Sequence, residues 1–322
     1  MATDESNKRP VQVESDMLIL AQDKPLLGPR HRAMLDDWMA IEREDAVSAG
    51  ALGYMARILA QATLPHMDPK LPPGTMYSRS TGRATLNIVA TTRKYGIPYG
   101  SIPRVLLAWI CTEAVRTQNK QLDLGRSQAE FLKRIGLHSN GSDIARFRKQ
   151  AMSLFRSVIS IEYDDDDLSE NSLRLPISTS EKVFWHNNPD VQSLWVSSLN
   201  LTDEFFQEVT ARPVPMDLRV YHSISKSPLA MDIYTWLTYR MYVLRHSGKP
   251  SVRIPWLGLK GQIGSNYADT AAGVRSFRYY FLKRLEEVLV FYPEARGHIT
   301  VTPDNMVLTP APLHIMAKLP TR

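Results

Sequence analysis

Cysteine is nearly absent. Cys111 is alone in a chain of 322 residues, which excludes an internal disulfide and fits a reducing compartment. The eight histidines are scattered, with no Cys/His cluster at metal-ligand spacing, so neither a bound metal nor a cofactor is expected. Long apolar runs are also missing: residues 105–111 form one of the longest, far short of the ~20 residues that cross a bilayer. The opening MATDESNKRP is polar and mixed in charge, unlike a secretion signal. A phosphate loop of the GxxxxGK[ST] kind is lacking too, because Gly248-Lys249 runs into Pro250 without the upstream glycine. What remains is a soluble, cytoplasmic, non-enzymatic protein with no membrane partner.

The hydrophobic fraction of 43% is that of an ordinary globular protein, and the length suits two domains. A net charge of +6 fits a polyanionic partner, although many basic proteins have none. Periodicity and punctuation predict an α+β chain in four parts. Residues 1–35 read as a mobile tail with one apolar knot at Met17–Leu20. Residues 36–83 hold an N-terminal helix at 36–62 and a Pro/Gly connector. The third part, 84–211, begins with a strand at 84–90 and a helix capped by Ser101. A strand at 121–124 and a helix opened by a Ser127/Glu130 capping box follow, ended by Gly136. Next come a helix from Asp143 and a hairpin formed by 158–163 and 173–177. A strand at 194–199 and a helix capped by Thr202 complete this part. In 212–322 the order recurs: a helix at 228–244, a strand at 251–254, a helix at 256–263 stopped by Gly264, a helix at 273–290, and a hairpin at 299–309. Helix, strand, helix, turn, helix, hairpin is the order of a winged helix. Its recurrence predicts two tandem winged-helix domains.

Each unit places one basic amphipathic helix after its turn. On Gly273–Val290 the residues Val274, Phe277, Phe281, Leu285 and Val288 share one face. The other face carries Arg275, Ser276, Tyr279 and Lys283, with Arg278 on the flank. Ile144–Phe155 aligns with Val274–Leu285 without a gap. Phe147 then matches Phe277, Arg148 matches Arg278, and Arg146, Lys149 and Ser153 lie opposite. Cations on the outside of one such helix are usually only a solvated face. Two of them at the same step of a helix-turn-helix order predict double-stranded DNA as partner, since a helix fits the major groove. Arg275, Arg146 and Lys149 are placed to reach bases, and Arg278, Arg148 and Lys283 to hold phosphates. Tyr279 is suited to a sugar or a thymine methyl.

Two features test that reading. Tyr279-Tyr280 could be the nucleophile of a nicking enzyme, but no His-x-His pair is present to hold the metal such chemistry needs. Asp164–Asp167 lacks the glycine of a calcium loop, Ser169 standing in its place, and reads as a solvated hairpin tip that avoids phosphate.

Several runs resemble the plasmid-encoded RepA family of replication initiators. They are Leu64-Pro65-His66, Tyr77-x-Arg79, Gly96-Ile97-Pro98-Tyr99-Gly100-Ser101, Pro103-Arg104, Trp109–Thr117, Ser227–Arg240 and the Phe277-Arg278 helix. The resemblance covers about residue 64 onward. It implies a bacterial, plasmid-encoded protein that binds origin repeats and helps to open the origin. It also implies the host replication initiator and replicative helicase as partners, with homodimers that repress the protein's own gene. One departure is Asn140-Gly141-Ser142, where a Gly-Gly turn is expected. A transcriptional repressor of the same architecture and an origin-nicking enzyme are the alternatives.

Overall fold

The computed structural model describes residues 29–72, 74–80, 84–137, 141–163, 171–183 and 196–315, in a mixed helix-and-sheet architecture. Residues 1–28 of the expected tail lie outside this set. The rest of that tail is helical, because α1 spans Pro29–Glu42. The single helix expected at 36–62 is instead broken into α1, strand β1 (Leu52–Met55) and helix α2 (Arg57–Gln61). Two local features break it. The Asp45 carboxylate accepts from the amides of Val47 and Ser48 at 2.9 and 3.1 Å, and Gly50 takes a left-handed φ of 63°. A distant strand then captures the released chain: β1 pairs antiparallel with β9 (Val214–Asp217), Leu52 opposite Asp217 and Met55 opposite Val214.

The segment up to residue 211 carries two sheets. Strands β2 (Tyr77–Ser80) and β3 (Ala84–Ala90) lead into α3 (Ser101–Thr117), β4 (Gln121–Gly125), α4 (Gln128–Arg134) and α5 (Gly141–Phe155). After them come β5 (Ser157–Tyr163), β6 (Asn171–Pro176), β7 (Ser178–Lys182), β8 (Ser197–Leu201) and α6 (Asp203–Ala211). Ser127 caps α4 as expected, accepting from the Glu130 amide at 3.0 Å. Ser101 does not cap α3, since the cap position is Gly100 at φ 79° with no side-chain bond. The expected hairpin of β5 and β6 forms, Val158 opposite Pro176. Its free edge, however, pairs with all seven residues of β3, in a sheet ordered β2-β3-β5-β6. The reason is burial: Leu86, Ile88, Ile159 and Ile161 all fall below 5% exposure on that ladder. Strand β4 pairs instead with β8, giving β4-β8-β7. Residues 164–170, with the aspartate run, lie outside the described residues.

The C-terminal segment continues through α7 (Leu218–Ser223), α8 (Pro228–His246), β10 (Val252–Pro255), α9 (Trp256–Ile263) and α10 (Ala271–Phe291). A 3-10 turn at Pro293–His298 and strands β11 (Ile299–Val301) and β12 (Asn305–Leu308) end it. Its sheet is ordered β10-β12-β11. Both segments therefore run helix, strand, helix, helix, and both close a three-stranded sheet by inserting the last strand beside the first. The β5–β6 hairpin is an insertion into the first copy of that scheme. In each segment the tryptophan of the first helix packs on a phenylalanine of a later helix, though not at aligned positions. Trp109 meets Phe131 edge-on at 4.8 Å, Phe131 lies 6.0 Å from Phe147, and Trp236 meets Phe281 edge-on at 6.4 Å. Among the described residues no helix is long and apolar enough to cross a membrane.

Candidate nucleic-acid interface

Helix α10 is fixed at its start by Thr270, whose hydroxyl accepts from the Gly273 amide at 3.1 Å. Gly273 allows the turn to pass, because a Cβ there would sit 2.0 Å from the Ala268 carbonyl oxygen. Phe277, Phe281, Leu285 and Val288 are wholly buried. Arg275, Ser276, Tyr279 and Lys283 are exposed, Tyr279 by 64%. Carboxylates claim other arginines nearby: Arg30 and Arg284 pair with Glu287, and Arg296 with Glu286. Arg275 and Lys283 enter no ion pair among the described residues, so their charge is free to meet an anion. Arg278 is half-buried, with its guanidinium 5.6 Å from the centre of the Trp256 ring. That stacking makes Arg278 a link between α10 and α9. Tyr280 leans on Tyr267 at 6.3 Å and remains 47% exposed.

Helix α5 presents Arg146 and Lys149 to solvent, while Arg148 is half-buried and Phe147 is 1% exposed. Ser153 is placed otherwise than expected. It is 1% exposed, and its hydroxyl donates to the Lys149 carbonyl at 2.9 Å. The last turn of α5 is enclosed on every side, Gln150 through Phe155 all being buried, so a one-sided pattern no longer holds there. Ser153 leaves the candidate surface. Residues 138–140, before α5, lie outside the described set.

The geometry between the two segments was not visible in the motifs. The Arg104 guanidinium on α3 forms a fork with the Asp232 carboxylate on α8, both bonds 2.7 Å. Its other protons go to the carbonyls of Leu64, Pro65 and Gly100 at 2.6 to 3.1 Å. The His66 Nε2 reaches Asp232 at 2.8 Å. Burial pushes the Asp232 carboxyl up, but the Arg104 charge and the bonds from Arg104 and His66 outweigh it and hold the group at about 2. Burial pushes His66 below its ordinary value, against the pull of Asp232. The connector also grips the turn ahead of α10. The His66 amide donates to Ser265 Oγ and Asn266 Oδ1 at 3.0 and 3.1 Å. Arg79 donates to the carbonyls of Thr63 and Gln262 at 2.7 and 2.8 Å. The sequence did hold one signal: a lone aspartate inside the apolar stretch Met231-Asp232-Ile233 is costly unless paired. Among the described residues no group of three or more His, Cys, Asp or Glu side chains gathers to hold a metal.

Residues 97–256 match the family model described as plasmid encoded RepA protein. This stretch of the chain belongs to the RepA family. The match runs from the loop before α3 to the first residue of α9. It includes α5, Arg104 and Asp232 and stops short of α10. Two crystal structures of domains 2 and 3 of RctB are similar at 14% identity. They cover 79% and 80% of this chain and 96% of each RctB chain, with TM-scores of 0.46 and 0.47. No curated protein matches the chain.

Proposed function

We propose that this RepA-type chain is a non-enzymatic plasmid replication initiator that grips origin repeats with two winged-helix units, residues 84–211 and 212–322. In this reading α5 and α10 lie in major grooves about one helical turn apart, the spacing a paired helix-turn-helix reader requires. The observation that carries it is the repeated scheme itself: two helices at the same topological step, each anchored by a buried phenylalanine and each exposing unpaired cations. Arg275, Arg146 and Lys149 read base edges, Lys283 and Arg148 hold phosphates, and Tyr279 packs on a sugar or thymine methyl. Arg278 acts through Trp256 by setting the tilt of α10, and Ser276 lies beside it on the exposed face. The wing of the first unit is β7–β8 rather than β5–β6, because β7–β8 occupies the place of β11–β12. Origin opening and loading of the host helicase, with the host initiator, then follow in the cytoplasm.

Footprinting on DNA upstream of the protein's own gene tests the reading. Protection of repeats at one-turn spacing, lost in an Arg146→Ala/Arg275→Ala variant, is the expected result. A mini-plasmid deleted for the gene should cease to replicate; continued replication would leave a repressor. A tyrosine-linked nick in supercoiled origin DNA would overturn the non-enzymatic reading.

A further inference from the structure

The C-terminal segment carries a groove that DNA binding leaves unused. It encloses about 670 Å³ between the C-terminal half of α8, residues 212–215, Arg57 of α2 and the terminal stretch at Leu313 and Ile315. Tyr239, Tyr242, Val243 and His246 line it at helical spacing. Tyr242 and Val243 stay 38% and 36% exposed, large apolar groups with no covering element among the described residues. Its lining carries Arg57 and Arg212 and no acidic side chain. Glu208 offsets Arg57 in part, at 3.8 Å. An apolar floor with a basic rim suits a short peptide whose aliphatic residues are flanked by acids.

The chain contains such a peptide outside the described residues. Met17-Leu18-Ile19-Leu20 follows Glu14 and Asp16 and precedes Asp23, and no lysine or arginine occurs from Val11 to Asp23. The other candidate, residues 316–322, leaves from the groove wall at Ile315 but carries Lys318 and Arg322 and no acid. Its charge is wrong for the rim. Eight residues, 21–28, separate this peptide from α1, and eight residues reach at most about 26 Å. They lead into α1, which lies along elements that adjoin the groove. Arg30 is bonded to Glu287 of α10, on which α8 packs, and the Glu44 carbonyl just past α1 accepts from Arg219 of α7, next to β9.

We propose that residues 14–20 dock in this groove within the same chain, Met17–Leu20 on the apolar floor and Glu14 and Asp16 against Arg212 and Arg57. The docking stands apart from the DNA reading. In the full-length chain, a Leu18→Cys/Val243→Cys variant treated with a short bismaleimide should give an intramolecular crosslink in the monomer band, Cys111 being buried. A crosslinked dimer would mean that a second copy supplies the tail and would overturn docking in cis, as would no crosslink at all. A labelled peptide of residues 11–23 supplies the second measurement. It should bind a full-length Leu18→Asp/Leu20→Asp variant at least tenfold more tightly than wild type, whose groove is already filled. Adding Arg212→Glu should reverse that gain. Equal binding to both proteins, or preferential binding of a peptide of residues 316–322, refutes the assignment.

Discussion

Replacing Asp232 by asparagine removes one charge from a buried pair whose partners are 128 residues apart. Asp232 and Arg104 are 5% and 3% exposed, so neither can recruit water when the other is lost. Breaking such a pair from one side costs about 3–5 kcal/mol, mostly through the buried charge left behind. Arg104 keeps its bonds to the carbonyls of Leu64, Pro65 and Gly100, which puts Asp232→Asn near the lower end, about 3 kcal/mol. With a urea slope of roughly 3 kcal/mol per molar, the unfolding midpoint should fall by about 1 M. An Arg104→Met/Asp232→Leu double variant removes both charges and should recover most of that loss. A shift below about 0.3 M for Asp232→Asn, or a double variant no better than the single, would refute the account of the pair.

The same site dictates a pH dependence. The Asp232 carboxyl falls from 3.8 in the unfolded chain to about 2 in the fold. A depressed acid stabilises the fold above the unfolded value, so about 2–3 kcal/mol is present above pH 4 and drains away as the pH falls toward 2. Arg104→Met should behave differently from Asp232→Asn. Once the Arg104 guanidinium is gone, a proton on His66 becomes the cation bonded to Asp232 and loses the repulsion of Arg104, which raises the His66 value relative to the intact protein. A raised histidine stabilises at low pH and loses the effect as pH rises. The penalty of Arg104→Met should therefore be smaller at pH 5.5 than at pH 8, whereas that of Asp232→Asn should not shrink in the same way.

Four further outcomes are expected. Arg275→Ala should weaken binding to the cognate repeat by about 1–3 kcal/mol and relax one base preference. Lys283→Ala should weaken all sequences alike and lower the salt slope by roughly 1; equilibrium titrations at several salt concentrations separate the two. Gly136→Ala should destabilise by more than the roughly 1–2 kcal/mol of a left-handed backbone, because Gly136 has φ 69° and a Cβ there would meet the His222 ring at 2.7 Å. Denaturant melts check this, with partial rescue expected on adding His222→Ala. Burial between Tyr234 and Tyr292 holds His314 at about 4. Stability should decline as pH falls from 6.5 through 4, by about 3 kcal/mol from this group, and His314→Phe should flatten that part of the melting profile.

Helix α10 was legible from its narrow apolar face of five residues, while the Thr270 cap that starts it two residues earlier was not read from the sequence. Helix α9 and strand β12 were similarly plain, bounded by Gly264 and by the turn at Asp304. The errors arose where distant partners overruled local pattern. An amphipathic reading of residues 36–62 could not see that β9 would take residues 52–55 into a ladder. Strand β7, with the sequence STSEK, has no apolar residue to announce it and exists through its pairing with β8. The hairpin β5–β6 was recognised as a hairpin, but nothing within it says which sheet its outer edge joins. Ser153 was misjudged for the opposite reason, since helical periodicity assumes one wet face and the end of α5 has none.

The structural role of residues 63–104 follows from the same comparison. Its first part, up to residue 83, reads as a Pro/Gly connector, yet the stretch holds the two repeated segments in register. His66 and Arg104 bond Asp232, and the carbonyls of Leu64 and Pro65 hold Arg104, which fixes α8 against α3. Thr63, His66, Tyr77 and Arg79 meanwhile hold the end of α9 and the turn at Ser265 and Asn266, the point from which α10 departs. Two readers on one chain bind more tightly than either alone only when their separation matches the site. A flexible linker would spread that separation over many values, and a buried, fully bonded ion pair confines it to one. On the proposed function, the spacing of the origin repeats is therefore set less by the recognition helices than by Arg104 and Asp232.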